Sequence, residues 1–262
     1  MKVFSKVAMG TGLLILLIFL ISYLYNHLVF SLLKNPGNTM KKTNSDIISV
    51  TITPTIFFSK EEVIVDWIVI SDPRLLELYS NLENKLTSQE AVKKYKCRFL
   101  VNSGFFSNSG HIGLFKEKEK LVKNYEENNY FNGFISLDNK NRFSISKEPP
   151  LDPLIAVQAG PLLTLSGKPI DIIEENNKNS RRVIAAKLHD ESLVFLVFYY
   201  KNNSFSGPNL TELSELIKNL KDKKILDIVD AINLDGGKHS VFISDKTKLT
   251  EASNVGGFFC VR

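Results

Sequence analysis

Cysteine, histidine and tryptophan are scarce in this chain of 262 residues, with two, four and one copies respectively. Two cysteines exclude a disulfide-dense scaffold, and neither Cys97 nor Cys260 has the C-x-x-C spacing of a zinc or redox site. Both lie in apolar, strand-like surroundings, so the expectation is two buried free thiols; a disulfide needs a Cα separation within about 7 Å that sequence does not reveal. Of the histidines, His27, His111 and His189 have no matching partners, and no His/Asp/Glu spacing suggests a metal site. Neither a metal nor a cofactor is expected. There is no G-x-S-x-G elbow, although a Ser-His-Asp triad assembled from distant residues stays open. Fixed-period repeats, low-complexity tracts and a basic stripe are also lacking. The formal charge of +5 comes from lysines with acidic neighbours, as in "KEKEK" (116–120) and "KDKK" (221–224). That pattern describes a solvated surface, and no nucleic-acid partner is expected.

What is present begins with a long apolar run. "VAMGTGLLILLIFLISYLY" (7–25) carries no charge and follows Lys2 and Lys6. It is long enough to cross a hydrocarbon core of roughly 30 Å. The apolar character continues through "LVFSLL" (28–33) without an A-x-A-like cleavage site, so residues 1–33 read as an uncleaved signal anchor. The lysines before the run favour an inside N-terminus. The expected location is a single-pass membrane protein, held through residues 7–25, with its C-terminal domain extracytoplasmic. Residues 34–46, "KNPGNTMKKTNSD", read as a linker, and residues 47–262 as the folded domain.

Within that domain "IISVTITPTIFF" and "VIVDWIVI" are rich in β-branched residues and read as strands. Thr87 followed by Glu90 forms a capping box that opens a short helix over 87–95. "NGFISL" and "RFSISK" make a hairpin through "DNKN", and "RRVIAAKL" pairs with "SLVFLVFYY" through "HDE". Leu210, Leu213, Leu216, Ile217 and Leu220 recur at a helical period. Many strands and about two helices, out of strict alternation, predict an α+β domain built on a mixed β-sheet behind an N-terminal transmembrane helix.

Chemistry concentrates at small-residue strand ends. In "AINLDGGKHSVF" (231–242) an apolar run stops at Asp235, and Gly236 and Gly237 follow. Asp-Gly between apolar runs is a hairpin signal. A carboxylate beside two glycines also suits a ligand-facing wall, since glycine admits positive φ and close approach. "VNSGFF", "AVQAGPLL", "SRRVIAA", "LTELSELI" and "AINLDGG" follow one another along the chain. In this order they resemble the phosphodiester glycosidase family, over roughly residues 47–262 and most strongly from Thr87 onward. Asn102 with Gly104-Phe105-Phe106 matches the first motif, with Ser103 where glycine is usual. Gln158, Gly160 and Pro161 match the second. Arg181 falls on the family arginine, and Asp235, Gly236 and Gly237 on the last motif. Lys238 and His239 depart from it, because the family continues there with another small residue and a serine.

The resemblance implies a hydrolase of sugar-1-phosphodiester linkages acting on a saccharide phosphodiester. Arginine suits phosphate oxygens through its planar fork of donors, which makes Arg181 the expected phosphate ligand. Phosphate leaves readily, so the main need is a carboxylate that activates water or stabilises an oxocarbenium-like centre, the role expected of Asp235. Asn102 is expected to orient a hydroxyl or phosphate oxygen. Gln158, Gly104, Gly160, Gly236, Gly237 and His239 complete the expected binding set, the glycines keeping the approach open. His239 reads first as an exposed turn residue, with a general acid or a phosphate contact kept as candidates, and Phe105 and Phe106 read as core packing ahead of sugar stacking. A domain of the same fold that binds glycan or anionic polymer without turnover is the alternative, suggested by Lys238 and His239.

Overall fold

The structure is a computed structural model that describes residues 47–48, 55–58, 61–118, 120–172 and 178–262. The proposed anchor and linker lie outside the described residues. Among the described residues, no helix is long and apolar enough to cross a membrane.

Among the described residues, three larger sheets, the two-stranded hairpin Phe106–Ser107/Gly110–His111 and two helices make up the domain, an α+β architecture dominated by strands. The largest sheet has eight strands, ordered Ile47–Ile48, Glu61–Ile70, Leu193–Tyr200, Arg182–Leu188, Ile228–Asn233, Leu162–Leu165 and Lys168–Pro169, with Thr55–Phe58 also paired to Glu61–Ile70. A second sheet runs Phe143–Ser146, Gly133–Leu137, Ile155–Ala159, Phe115–Lys116 and Leu121–Lys123. The third runs Lys248–Leu249, Phe242–Ile243, Phe99–Asn102, Gly257–Val261 and Leu76–Ser80. Every pairing among the described residues is antiparallel, where a mixed sheet was expected. The reason lies in the connections. A parallel neighbour needs a crossover of a dozen or more residues. The one helical crossover of the large sheet among the described residues runs from Leu193–Tyr200 through the helix Leu210–Asp222 to Ile228–Asn233, and Arg182–Leu188 sits between those two strands.

Two-residue alternation explains why the large sheet is covered on both faces. Ile68 and Ile70 of its long strand face a core shared with Phe99 and Val101 of the third sheet and Ile135 and Val157 of the second. Val63, Val65, Trp67 and Val69 face the other way, against α2 (Leu210–Asp222). The five apolar residues of that helix are all buried, each worth roughly 1.5–3 kcal/mol. Asn209 caps the helix in a full capping box with Glu212. The shorter helix α1 (Ser88–Tyr95) has the expected Thr87–Glu90 box, ends with Lys96 in the left-handed region, and covers the outer face of the third sheet with Ala91.

The thiols are not free. Cys97 and Cys260 form a disulfide with Cα atoms 5.3 Å apart, joining the segment just past α1 to the last strand. Apolar surroundings suit a buried thiol and a buried disulfide equally. The deciding quantity, the separation of two positions 163 residues apart, exists only in the fold.

Candidate active site

The Asp-Gly-Gly segment joins two sheets. Ile228–Asn233 pairs with Arg182–Leu188 and Leu162–Leu165 of the large sheet, whereas Phe242–Ile243 pairs with Phe99–Asn102 of the third. The hairpin reading is thereby excluded, since the strands flanking Asp235 are not partners. Strands from all three sheets end around this crossing. Gly160, which follows Ile155–Ala159, donates its N–H to Asn233 O at 3.1 Å, and Asn233 Nδ2 returns a bond to Gly160 O at 3.0 Å. Asn102, at the end of its strand and fully buried, donates Nδ2 to Asp235 O at 2.8 Å and accepts the Val241 N–H at Oδ1 at 2.8 Å.

Asp235 itself is half-buried. Its Oδ1 accepts the Gly236 N–H at 2.8 Å, and no other hydrogen bond reaches the carboxylate among the described residues. Desolvation pushes its pKa up to about 6, against the opposing pull of His239 and of the Gly236 amide. His239 lies on the single 3-10 turn Gly237–His239. Its Nδ1 is 2.6 Å from Asn254 O, which can only accept, so Nδ1 carries the proton and Nε2 is the end left to exchange one. The ring meets Phe106 edge-on, with centroids 5.4 Å apart.

Arg181 behaves differently from the phosphate ligand expected of it. It is almost wholly buried, and its guanidinium is directed at protein oxygens. Nε donates to Ser240 Oγ at 2.6 Å, Nη2 to Ser240 O at 2.6 Å and Thr250 O at 2.8 Å, and Nη1 to Ser204 O at 3.2 Å. Phe205 stacks on it at 4.8 Å. Burial lowers its pKa to about 10, which leaves it cationic at neutral pH. Ser240 passes the restraint on, donating Oγ to Gly237 O at 2.6 Å. Arg181 is therefore a positioning residue that fixes the loop carrying Asp235 and His239. Asn102 is another, its amide engaged at both ends.

Gln158 braces a different segment. Its Oε1 accepts from Leu114 N and Glu126 N, and its Nε2 donates to Glu126 O and Phe131 O, so all its bonding capacity is met away from Asp235. The glycines also serve packing rather than access. A side chain on Gly104 would meet Gln158 O at 2.7 Å, and one on Gly160 would meet Phe131 Cα at 2.8 Å. On Gly236 it would meet Arg181 O at 2.8 Å, and on Gly237, at φ +59°, Ser180 Oγ at 2.6 Å. Neighbouring chain fills the space beside each of them.

Several residues here escaped the sequence reading. Ser240 anchors Arg181, and Asn233 keeps a buried Oδ1 without a partner. The Arg182 side chain passes 3.9 Å from where a Gly236 side chain would begin, and it is fixed to Pro208 O and Lys178 O. Its place beside Arg181 in "SRRV" was the only signal, and it did not say which arginine flanks the loop. His111, read as having no matching catalytic or metal partner, is buried against Ser80 Oγ at 2.8 Å and stacked on Phe115; desolvation takes its pKa down to about 4. It is a neutral core histidine, paired across a two-stranded hairpin with Phe106.

The domain is an α+β fold with a carboxylate at a strand end where its three larger sheets meet. The phosphodiester glycosidase family model matches residues 95–258, well over half of the chain, and the chain belongs to that family. No curated protein matches the chain by sequence. Among solved structures it is similar to the catalytic domain of zebrafish N-acetylglucosamine-1-phosphodiester alpha-N-acetylglucosaminidase, auto-inhibited by its pro-peptide, with a TM-score of 0.65, 14% identity and 85% of each chain covered. It is also similar to a hypothetical protein from Synechocystis, with a TM-score of 0.59, 13% identity, and 80% of this chain and 61% of that one covered. A putative exported protein from Burkholderia pseudomallei K96243 aligns at 0.57, with 12% identity over 77% of this chain and 74% of the other. At these identities the likeness is one of fold.

Proposed function

We propose that the protein is a membrane-anchored, extracytoplasmic hydrolase of sugar-1-phosphodiester linkages. The observation that carries this reading is Asp235, a half-buried carboxylate at the meeting of the sheets with a pKa pushed up to about 6. A base poised near the working pH is the kind used in proton transfer. In the proposed step, water oxygen forms a bond to the anomeric carbon while the carbon–oxygen bond to phosphate breaks. Asp235 takes the proton from water, and the phosphate leaves as a monoester. His239, whose Nδ1 is tied to Asn254 O, is the proposed proton donor to the departing phosphate through Nε2. Arg181 and Asn102 hold the loop in register. The Cys97–Cys260 disulfide supports the extracytoplasmic location, because such bonds persist in oxidising compartments. The apolar run at 7–25 supports the anchor.

The test is turnover of a panel of aryl and nucleotide-linked sugar-1-phosphodiesters by the full-length protein. Release of phosphate monoester from at least one member, abolished in Asp235→Asn, supports the reading. Retention of anionic glycan without cleavage of any member would place the chain with the binding modules of the same fold.

A further inference from the structure

Beside His239 the surface opens into a cleft of about 360 Å³, within the ~300–1,000 Å³ range of small-ligand sites. Asn81, Lys85, Phe106, Ser107, Asn108 and Asn254 are among its lining residues. A second hollow of about 270 Å³ shares Lys85 and Asn254 with it and extends toward the start of α1. The cleft is joined to the catalytic loop by the two residues that depart from the family pattern. Lys238 O accepts the N–H groups of Ala252 and Ser253 at 2.8 and 3.1 Å, and His239 Nδ1 donates to Asn254 O. The rim of the cleft thus hangs from the segment that carries Asp235. Its opposite wall is equally fixed. Buried Asn81 donates Nδ2 to Leu86 O and Val255 O and accepts the Leu86 N–H.

The chemistry of the lining selects the ligand. Amide and hydroxyl groups bear both donors and acceptors, matching sugar hydroxyls, and the half-buried Phe106 ring supplies an apolar face for ring C–H groups. Charge is nearly absent. Lys85 is the one cation lining either hollow among the described residues, and Glu251, which also lines the second, has its carboxylate turned inward, with Oε1 accepting from Ser88 N and Oε2 buried. Three of the amides at the start of α1, which would otherwise attract an anion, are occupied. Ser88 N donates to Glu251 Oε1 at 2.7 Å, Glu90 N to Thr87 Oγ1, and Thr87 N to Glu90 Oε2. A phosphate would find one flexible lysine here, whereas a neutral saccharide would find a set of polar partners around an aromatic ring.

We propose that this cleft is a saccharide subsite, binding neutral sugar units of a glycan next to the linkage that Asp235 faces. The assignment rests on the proposed glycosidase function for its position in the reaction, but its binding chemistry is independent of turnover. The test is titration of the full-length protein with neutral gluco-, manno- and chito-oligosaccharides of two to four units, followed by saturation-transfer NMR and calorimetry. At least one series should bind, and Phe106→Ala should weaken it by about tenfold through the lost ring contact. Because Phe106 also packs on Gly256, Asn108→Trp is the second variant. Asn108 is exposed on the hairpin tip, so a bulky side chain there should fill the cleft and abolish binding without lowering the melting temperature. Absence of binding in every series overturns the proposal, as does binding unchanged in Asn108→Trp. Inorganic phosphate binding in place of the neutral sugars also overturns it. Oligosaccharide binding that Asn108→Trp removes, in a protein that cleaves no phosphodiester, would retain the subsite and reject the hydrolase. Cleavage without oligosaccharide binding would do the reverse.

Discussion

Replacing Asp235 by Asn should make the protein more stable and less active, and the stability gain should depend on pH in a calculable way. The wild-type carboxyl has a pKa of about 6 in the folded chain against its ordinary value of 3.8. Because the folded pKa is the higher one, the folded state holds this proton more tightly than the unfolded state does. The group therefore favours folding below about pH 4, and that contribution is lost as the pH rises through 6. A difference of about two pKa units corresponds to roughly 3 kcal/mol between the two ends of the window. Asparagine preserves the shape, can still accept the Gly236 N–H, and does not titrate.

Urea unfolding of wild type and Asp235→Asn at pH 4 and pH 7.5 is the direct assay. The stability of the variant relative to wild type should rise by about 2–3 kcal/mol between the two pH values, or by some 4–12 °C in melting temperature for a domain of this size. His239 is the charged neighbour that opposes the shift, so the same comparison in a His239→Gln background should give a steeper change. Turnover should move in the other direction, falling about 100-fold or more, and the wild-type rate should decline on the acid side with a midpoint near 6 as the base is protonated. A stability difference that is flat with pH, to within about 0.5 kcal/mol, would refute the argument that Asp235 is held in a desolvated site.

Reduction of Cys97–Cys260, or its replacement by two serines, should cost about 5 kcal/mol on a chain-entropy estimate for so long a loop, and an unchanged melting curve under dithiothreitol would contradict the disulfide. Arg181→Met should destabilise by about 3 kcal/mol or more, since Ser240 and three carbonyls lose their donor, and it should lower kcat; a raised KM at unchanged stability would instead make Arg181 a phosphate ligand. Gly237→Ala should cost at least about 1–2 kcal/mol in chemical denaturation, from a left-handed φ of +59° and the approach of Ser180, and a neutral effect would mean that the loop can relax. Leu213→Ala, under the centre of α2, should lose about 2–5 kcal/mol without altering KM, measured by denaturation and steady-state kinetics in parallel.

Local structure was legible wherever it is decided locally. Thr87 and Glu90 are close in sequence and their capping box forms as read; the same is true of the period in Leu210, Leu213, Leu216, Ile217 and Leu220, and of the hairpin from Gly133–Leu137 to Phe143–Ser146. Strand direction, the disulfide and the partners of the Asp-Gly-Gly segment depend on residues far apart in the chain, and there the residues alone misled. Ile228–Asn233 and Phe242–Ile243 have the spacing of a hairpin but belong to different sheets, a choice made by the large-sheet and third-sheet cores they enter.

The site residues show a further limit of sequence reading. Polar or basic residues at small-residue strand ends invite a ligand-facing interpretation, yet bringing three sheets to one point creates its own demand for buried hydrogen bonds. Backbone groups at the strand ends have no ladder partners, and a buried unpaired amide or carbonyl costs about 1–3 kcal/mol. Asn102, Gln158 and Arg181 meet that demand, and Gly104, Gly160 and Gly236 let the chains approach closely enough for it to be met. Asp235 differs from them in one respect. Its backbone oxygen is bound by Asn102, whereas among the described residues its carboxylate has only the adjacent Gly236 amide, and desolvation disfavours its ionised form. A scaffold residue would be expected to have its side chain satisfied, as the other three do. An ionisable group held by such a scaffold and still left under-bonded has the character of a reactive group, and this contrast separates Asp235 from the residues that share its motifs.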